Sequence, residues 1–303
     1  MRTAYLGTSE FAATVLRRLA SSEHAPVLVV TPADSRQGRG RRLAPPPAAE
    51  VARELGLELL QTEDVNGPEV APALRSAQAD AVAVCAFGQL IGEPLLSEQS
   101  MLNVHPSLIP RWRGAAPIER AIMAGDGLTG STIMRVTEEL DAGPVALRES
   151  IPIGIEDYYD DLAARLAAQG GELLVRALDL EAAGELELSE QDEDEATYAE
   201  KISSSERHLD PGRDAAELAW TVRALNPHIG THLELEDGER LGVRRARAVE
   251  GAPAKGQIEY GDGVLVLGTA DAGLALEVVQ PPGKRAIGAA QFARGYPIPS
   301  RAI

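Results

Sequence analysis

The chain has 303 residues, 44% of them hydrophobic, and a formal net charge of −17 at neutral pH; this is more length than one core usually serves, so a large and a smaller domain are expected. No run of about 18 apolar residues occurs and the start, MRTAYLGTSEF, carries charge and glycine early, so neither a membrane span nor a secretory leader is expected and the protein reads as cytoplasmic. The one cysteine, Cys85 in the apolar run AVAVCAF, excludes an internal disulfide and reads as a small buried hydrophobe.

Short apolar runs alternate with amphipathic stretches up to about residue 180, the pattern of a Rossmann-like, mostly parallel sheet covered by helices. The first strand is expected at 3–6. It is followed by Gly7-Thr8-Ser9-Glu10 rather than G-x-G-x-x-G, so a nicotinamide cofactor is not expected. Ser9 is placed to cap a helix whose apolar positions Phe11, Val15, Leu16 and Leu19 recur at helical spacing. A strand at 27–31 leads into RQGRGRR at 36–42, which holds Arg36, Arg39, Arg41 and Arg42 and no acid before Pro45-Pro46-Pro47. That connection is longer than the usual 2–6 residues of a βα loop, which points to a functional loop.

Strands are expected next at 58–60, 81–85 and 101–105. Those at 131–136 and 145–150 follow too closely for a crossover helix and are expected to form an antiparallel edge. A helix over 160–182 sets Leu162, Leu166, Leu173, Leu174 and Leu178 on one side. From 184 the apolar rhythm stops, and residues 181–206 hold ten acids and one base, as an exposed linker would. The expected organisation is therefore a catalytic domain at 1–188, an acidic linker at 189–206 and a second domain at 207–303. In the second domain a helix at 215–225 precedes five short β-type runs, at 231–235, 241–248, 256–260, 264–268 and 274–278, which suggest a small closed, OB-like barrel. Residues 207–303 are charge-neutral, with 12 basic and 12 acidic side chains, so the acidity lies in the first two thirds. Because screening limits exposed charges to about 8–10 Å, such a body still accommodates a local basic surface. Arg240, Arg244, Arg245 and Arg247 on the barrel are one candidate for a surface that tracks a nucleic-acid backbone.

The candidate chemistry sits at NVHPSLIPRWRG, residues 103–114. Asn103 and His105 are two apart on a strand, so both project from one face at its carboxyl end, where ligand crevices of open α/β sheets lie. An amide donor beside an imidazole suits acyl transfer to an amine, the one holding a developing oxyanion and the other managing protons. An ordinary strand end with a satisfied Asn and His is the competing reading. There is no phosphate-binding G-x-x-x-x-G-K-[ST], and only His228 and His232 have i, i+4 spacing, without neighbouring ligands, so no metal is expected.

NVHPSLIPRWRGAAPIERAI and the downstream ELDAGPV resemble the two signatures of the folate-dependent formyltransferase family. GTSEFAA, GRGRRLAPPP, AFGQLI, TYAEKIS, ALNP and QPPGKRAIGAAQFARG resemble the branch of that family that acts on methionyl-tRNA. The sequence departs from the pattern at Ser9, at Pro106 and in NPHIGTHLEL, which lacks the aromatic residues frequent there. The resemblance implies transfer of the formyl group of 10-formyltetrahydrofolate to the α-amino group of methionyl-initiator tRNA, leaving tetrahydrofolate; because one tRNA would engage both domains, a monomer is expected. It maps Asn103, His105 and Asp141 onto the catalytic asparagine, histidine and aspartate, with Asp141 placed to order a water through which the proton leaves. It sets Ser107, Leu108, Ile109 and Pro110 along the folate, with Phe87, Gly88, Gln89 and Leu90 around the pterin, and makes the arginines at 36, 39, 41 and 42 a tRNA-reading loop. A formyltransferase for a small amine, a formate-releasing hydrolase and a silent binding protein on the same scaffold are the rival readings.

Overall fold

The computed structural model describes residues 1–37 and 42–303. Its contacts divide the chain into two compact units that interleave along the sequence. One holds Met1–Pro117, Leu128–Pro152 and Ala163–Ala199, the other Ile118–Gly127, Ile153–Leu162 and Glu200–Ile303. The second unit thus takes two short segments from within the range 1–188.

Among the described residues the first unit is built on a seven-stranded sheet. Its strands are β1 (Thr3–Gly7), β2 (Pro26–Pro32), β5 (Leu59–Thr62), β6 (Ala81–Cys85), β7 (Met101–His105), β9 (Leu128–Arg135) and β10 (Val145–Pro152). The order across the sheet is β10-β9-β7-β6-β1-β2-β5. The pairs from β7 to β5 are parallel, while β9 runs antiparallel to both β7 and β10, as the absence of a crossover helix between β9 and β10 requires. Alternate residues feed two cores. Tyr5, Val29, Ala83, Leu102 and Val104 pack against the helices α1 (Glu10–Ala20), α2 (Pro47–Glu54) and α6 (Tyr159–Ala183). Leu6, Leu28, Val30, Val82 and Val84 pack against α3 (Val70–Ala77) and α4 (Leu95–Glu98). Ser9 caps α1, its hydroxyl accepting from the Ala12 N–H at 3.3 Å. Cys85 is fully buried, and burial pushes its thiol up to about 12, so it contributes packing rather than reactivity.

The arginine-rich segment is more regular than a loop in its described part. β3 (Ser35–Gln37) and β4 (Arg42–Ala44) pair antiparallel as a two-stranded ribbon, Arg36 opposite Leu43. Local backbone pairing there supplies the order that the apolar rhythm of the sequence does not announce.

The second unit carries β12 (Thr231–Glu234), β13 (Arg240–Val249), β14 (Ile258–Gly261), β15 (Val264–Gly268), β16 (Gly273–Gln280) and β17 (Ile287–Gly288), with α7 (Ala215–Leu225) and α8 (Ala289–Gly295). The order is β12-β13-β16-β15-β14, every pair antiparallel, around Leu233, Leu241, Val243, Leu265, Leu267, Leu274 and Leu276. On β13 two steps from Val243 to Arg245 face one step from Val279 to Val278. This bulge moves the inward positions from Leu241 and Val243 to Ala246, so the interior stays apolar although the residues between are arginines. Among the described residues the two edge strands do not pair with each other; the C-terminal residues bridge them. The Ala302 N–H donates to the Gly256 carbonyl at 2.8 Å and the Ile303 N–H to the Glu234 carbonyl at 2.9 Å, while the Ile258 N–H donates to Ser300 at 3.0 Å. Closure by the chain terminus covers both edges.

Two short strands, β8 (Arg113–Gly114) and β11 (Tyr198–Ala199), pair in parallel in the first unit. The remaining helix is α5 (Pro117–Met123). Among the described residues no helix is long and apolar enough to cross a membrane, and no group of three or more His, Cys, Asp or Glu could hold a metal ion.

Candidate active site

β7 is interior to the sheet, and Met101, Leu102 and Val104 are buried in it. Its two polar residues, Asn103 and His105, both face a cavity of about 470 Å³ that lies outside the carboxyl ends of β6 and β7. The chain then turns back through residues 106–112. The Ser107 hydroxyl donates to the Arg111 carbonyl at 2.7 Å and the Thr132 hydroxyl to the Ser107 carbonyl at 2.7 Å. The Arg148 guanidinium donates to the Ile109 carbonyl at 3.1 Å. Trp112, at φ +66°, ends the turn with its carbonyl 2.9 Å from His105 Nε2. A carbonyl only accepts, so Nε2 of this nearly buried imidazole carries a hydrogen and donates, which leaves Nδ1 as the acceptor nitrogen of the neutral ring.

Asp141 arrives from the connection between β9 and β10, at φ +51°. Such a backbone is strained for a residue with a Cβ, by roughly 1–3 kcal/mol, and persists only where its surroundings enforce it. Its Oδ1 accepts from Asn103 Nδ2 at 3.3 Å, and its Oδ2 accepts from the Gly114 N–H at 2.9 Å and lies 3.5 Å from His105 Nδ1. Gly114, at φ +113°, runs against the backbone of Ala199, where a larger residue would be strained. Residues 103, 105 and 141 therefore meet, with His105 Nδ1 turned toward the carboxylate. An amide donor, a proton-accepting nitrogen and an anion around one hollow equip the site to hold an oxyanion and receive a proton.

The expected folate residues separate into two groups. Phe87, Gly88, Gln89 and Leu90 line the cavity together with Met134, Val136 and Leu140. The Gln89 amide is already engaged: Oε1 accepts from the Val65 N–H at 2.8 Å and Nε2 donates to the Glu63 carbonyl at 3.2 Å. Ser107, Leu108, Ile109 and Pro110 do not line the cavity. Ser107 and Ile109 are fully buried; the hydroxyl of Ser107 is spent on the turn and Ile109 packs with Met134 and Val145. In the structure these residues build the turn that carries Trp112 and Gly114. The cavity also stands one strand away from the topological switch between β1 and β6, where sheet order alone would put a ligand.

Of the four arginines expected to read tRNA, Arg36 lies exposed on β3 and Arg42 contributes its backbone to β4. Arg39 and Arg41 lie outside the described residues. The basic stretch on β13 is not a free strip. Arg240 pairs with Glu234 at 2.7 Å and Arg247 with Glu277 at 3.0 Å. Arg244 donates to Asn226 and Gln280, and Arg245 lies over the Tyr158 ring. A different cluster escapes the sequence reading: Lys284, Arg285 and Arg294 line a hollow of about 420 Å³ with Gln291 and Tyr296. None of the three ion-pairs with a described carboxylate. The signal is present in QPPGKRAIGAAQFARG, whose cations lie just before β17 and in α8, so that only folding gathers them.

Residues 1–178 match the family model described as "Formyl transferase", and residues 201–297 match "Formyl transferase, C-terminal domain". The chain is 40% identical over 307 residues to the methionyl-tRNA formyltransferase of Methylococcus capsulatus, which covers 100% of this chain and 99% of that one. It is 37% identical over 301 residues to the enzyme of that name from Cereibacter sphaeroides, covering 99% and 97%. Among solved structures it is similar to WlaRD, a sugar 3N-formyl transferase crystallised in the presence of dTDP and 5-N-formyl-THF, with a TM-score of 0.68, 14% identity, and 94% of this chain and 99% of that one covered. HypX from Aquifex aeolicus in complex with tetrahydrofolic acid superposes with a TM-score of 0.64 at 16% identity, over 98% of this chain and 48% of that one. The likeness to these two structures concerns the fold alone.

Proposed function

The chain belongs to the formyl transferase family, and on that premise we propose how its residues formylate methionyl-tRNA. Full-length identity to relatives named methionyl-tRNA formyltransferase supports that activity. The observation that carries the mechanism is the meeting of Asn103, His105 and Asp141 over one cavity. In this reading the donor is 10-formyltetrahydrofolate, which supplies an activated formyl carbon. The cavity fits a flat heterocycle: Phe87, Met134, Val136 and Leu140 give it apolar surface, and Asn103, His105 and Asp141 are among its polar lining.

The amine nitrogen attacks the formyl carbon, so negative charge grows on the formyl oxygen and positive charge on nitrogen. Asn103 Nδ2, which at 3.3 Å holds Asp141 only loosely, donates to that oxyanion. His105 Nδ1 receives the proton directly or through a water, because Nε2 is committed to the Trp112 carbonyl, and Asp141 across 3.5 Å stabilises the imidazolium that results. Collapse of the intermediate breaks the bond between the formyl carbon and the folate nitrogen, which takes up the proton held on His105 and leaves as tetrahydrofolate. Arg36, Arg39, Arg41 and Arg42 read the tRNA in this proposal, and Lys284, Arg285 and Arg294 meet its phosphates. The enzyme acts as a cytoplasmic monomer, residues 1–188 carrying the chemistry and 207–303 serving tRNA binding.

The test is formyl transfer from 10-formyltetrahydrofolate to charged initiator tRNA, uncharged tRNA and free methionine, assayed side by side. Product with charged tRNA alone supports the reading. Equal rates on free small amines would transfer it to the small-molecule branch, and no formyl-folate consumption would leave a binding protein.

A further inference from the structure

Asp141 owes its position to side chains outside the reacting trio. Its carbonyl and that of Gly143 both accept from one amide, Gln191 Nε2, at 2.9 and 2.7 Å. Gln191 Oε1 accepts in turn from Arg113 Nε and Nη2 at 3.0 and 2.8 Å. The Arg113 guanidinium is almost completely buried, 1% exposed, and its other edge donates to both carboxylate oxygens of Glu193 at 2.9 and 2.7 Å. That pairing holds the Glu193 carboxyl below the usual carboxylate range. Arg113 itself stands between the two backbone groups that orient the trio: the Trp112 carbonyl on His105 and the Gly114 N–H on Asp141.

We propose that Gln191, held by Arg113 and Glu193, is a positioning residue that fixes the Asp141 carboxylate against His105 and Gly114. The proposal rests on the reading of Asp141 as part of the reaction. A left-handed aspartate on a largely exposed connection has little packing of its own to hold it. Two hydrogen bonds to neighbouring parts of that connection, from an amide that is itself gripped by a guanidinium fork, supply the restraint that local sequence cannot. The chain thus places a residue of the acidic segment beyond α6 directly behind the reacting groups.

Gln191→Glu separates positioning from simple structural support. The carboxylate keeps the acceptor that Arg113 needs but loses both donors to the 141–143 connection, and faces two carbonyls with a charge instead. With charged tRNA and 10-formyltetrahydrofolate, kcat is expected to fall about 10- to 100-fold, the scale on which a misplacement near 1 Å acts. KM for each substrate should stay within about twofold, and Tm should stay close to that of the parent. Gln191→Ala, which retains the Arg113–Glu193 pair, provides the same measurement if the glutamate variant melts early. Each variant is also made with Asp141→Asn: if Gln191 acts through Asp141, it should then cost less than about threefold more, since coupled residues are not additive. Wild-type kcat in both variants, an undiminished loss in the Asp141→Asn background, or loss that only follows the folded fraction would each overturn the proposal. Wild-type kcat in Asp141→Asn alone would instead overturn the reading of Asp141 itself.

Discussion

At the carboxyl end of β7 and along β13 the sequence places polar groups with similar density, and the fold treats them in opposite ways. Around β7 the groups come from residues 103, 105 and 141, and the partners that orient them are mostly backbone: the Trp112 carbonyl and the Gly114 N–H. His105 Nδ1 and the long-bonded Asn103 amide remain available over an open cavity. On β13 four arginines within eight residues are engaged by Glu234, Glu277, Asn226, Gln280 and the Tyr158 ring. A run of charge in sequence is therefore a poor guide to a binding surface. What distinguishes a site is a polar group whose partner orients it without using it up, and that is decided by neighbours distant in sequence.

The largest effect is expected at the oriented end. Asn103→Ala should lose about 2.7–4 kcal/mol of transition-state stabilisation, a hundred- to thousandfold fall in kcat, with folate binding measured by fluorescence titration little changed. More than about a tenth of the activity remaining would make Asn103 an ordinary strand residue and erase the contrast with β13. The barrel side is probed through its closure. Ending the chain at Ser300 removes three backbone hydrogen bonds, those involving Arg301, Ala302 and Ile303. At about 0.5–1.5 kcal/mol each, the loss should approach 2–3 kcal/mol in urea unfolding.

A smaller effect sharpens the charge comparison directly. Replacing Lys284, Arg285 and Arg294 together by Ala should flatten the log-affinity versus log-salt line for tRNA by up to about 0.9 for each phosphate no longer neutralised, whereas Arg247→Ala, already paired with Glu277, should leave the slope nearly unchanged. Equal slopes for both would show that pairing does not decide the surface. The smallest effect concerns pH. Glu206 is held at about 2 by its hydrogen bond from Arg120, with Ser203 adding to it. Its folded value lies below the ordinary one near 4.3, so its stabilisation is present above that pH and is lost as pH falls through 4 toward 2. Glu206→Gln should therefore lower stability by on the order of 1 kcal/mol or less at neutral pH and by almost nothing near pH 2, followed by thermal unfolding across that range.

The sequence by itself determined what depends on local period. Residues 81–85, 101–105, 215–225 and 264–268 are elements in the structure at the very bounds their patterns imply, because alternation and helical spacing report which face of a segment is buried. The same period put Asn103 and His105 on one face, and the Ser9 cap is a three-residue interaction. Only the tertiary structure decided the rest. Asp141 reaches His105 from the far side of β9 through a left-handed backbone, and Gln191 and Arg113 hold it there from other parts of the chain. The engaged arginines of β13, the gathering of Lys284, Arg285 and Arg294, the turn-building role of Ser107 to Pro110 and the closure of the barrel by Arg301, Ala302 and Ile303 all depend on which distant groups arrive as neighbours. Side-chain period is a property of a few consecutive residues, whereas satisfaction of a polar group is a property of the whole packed chain.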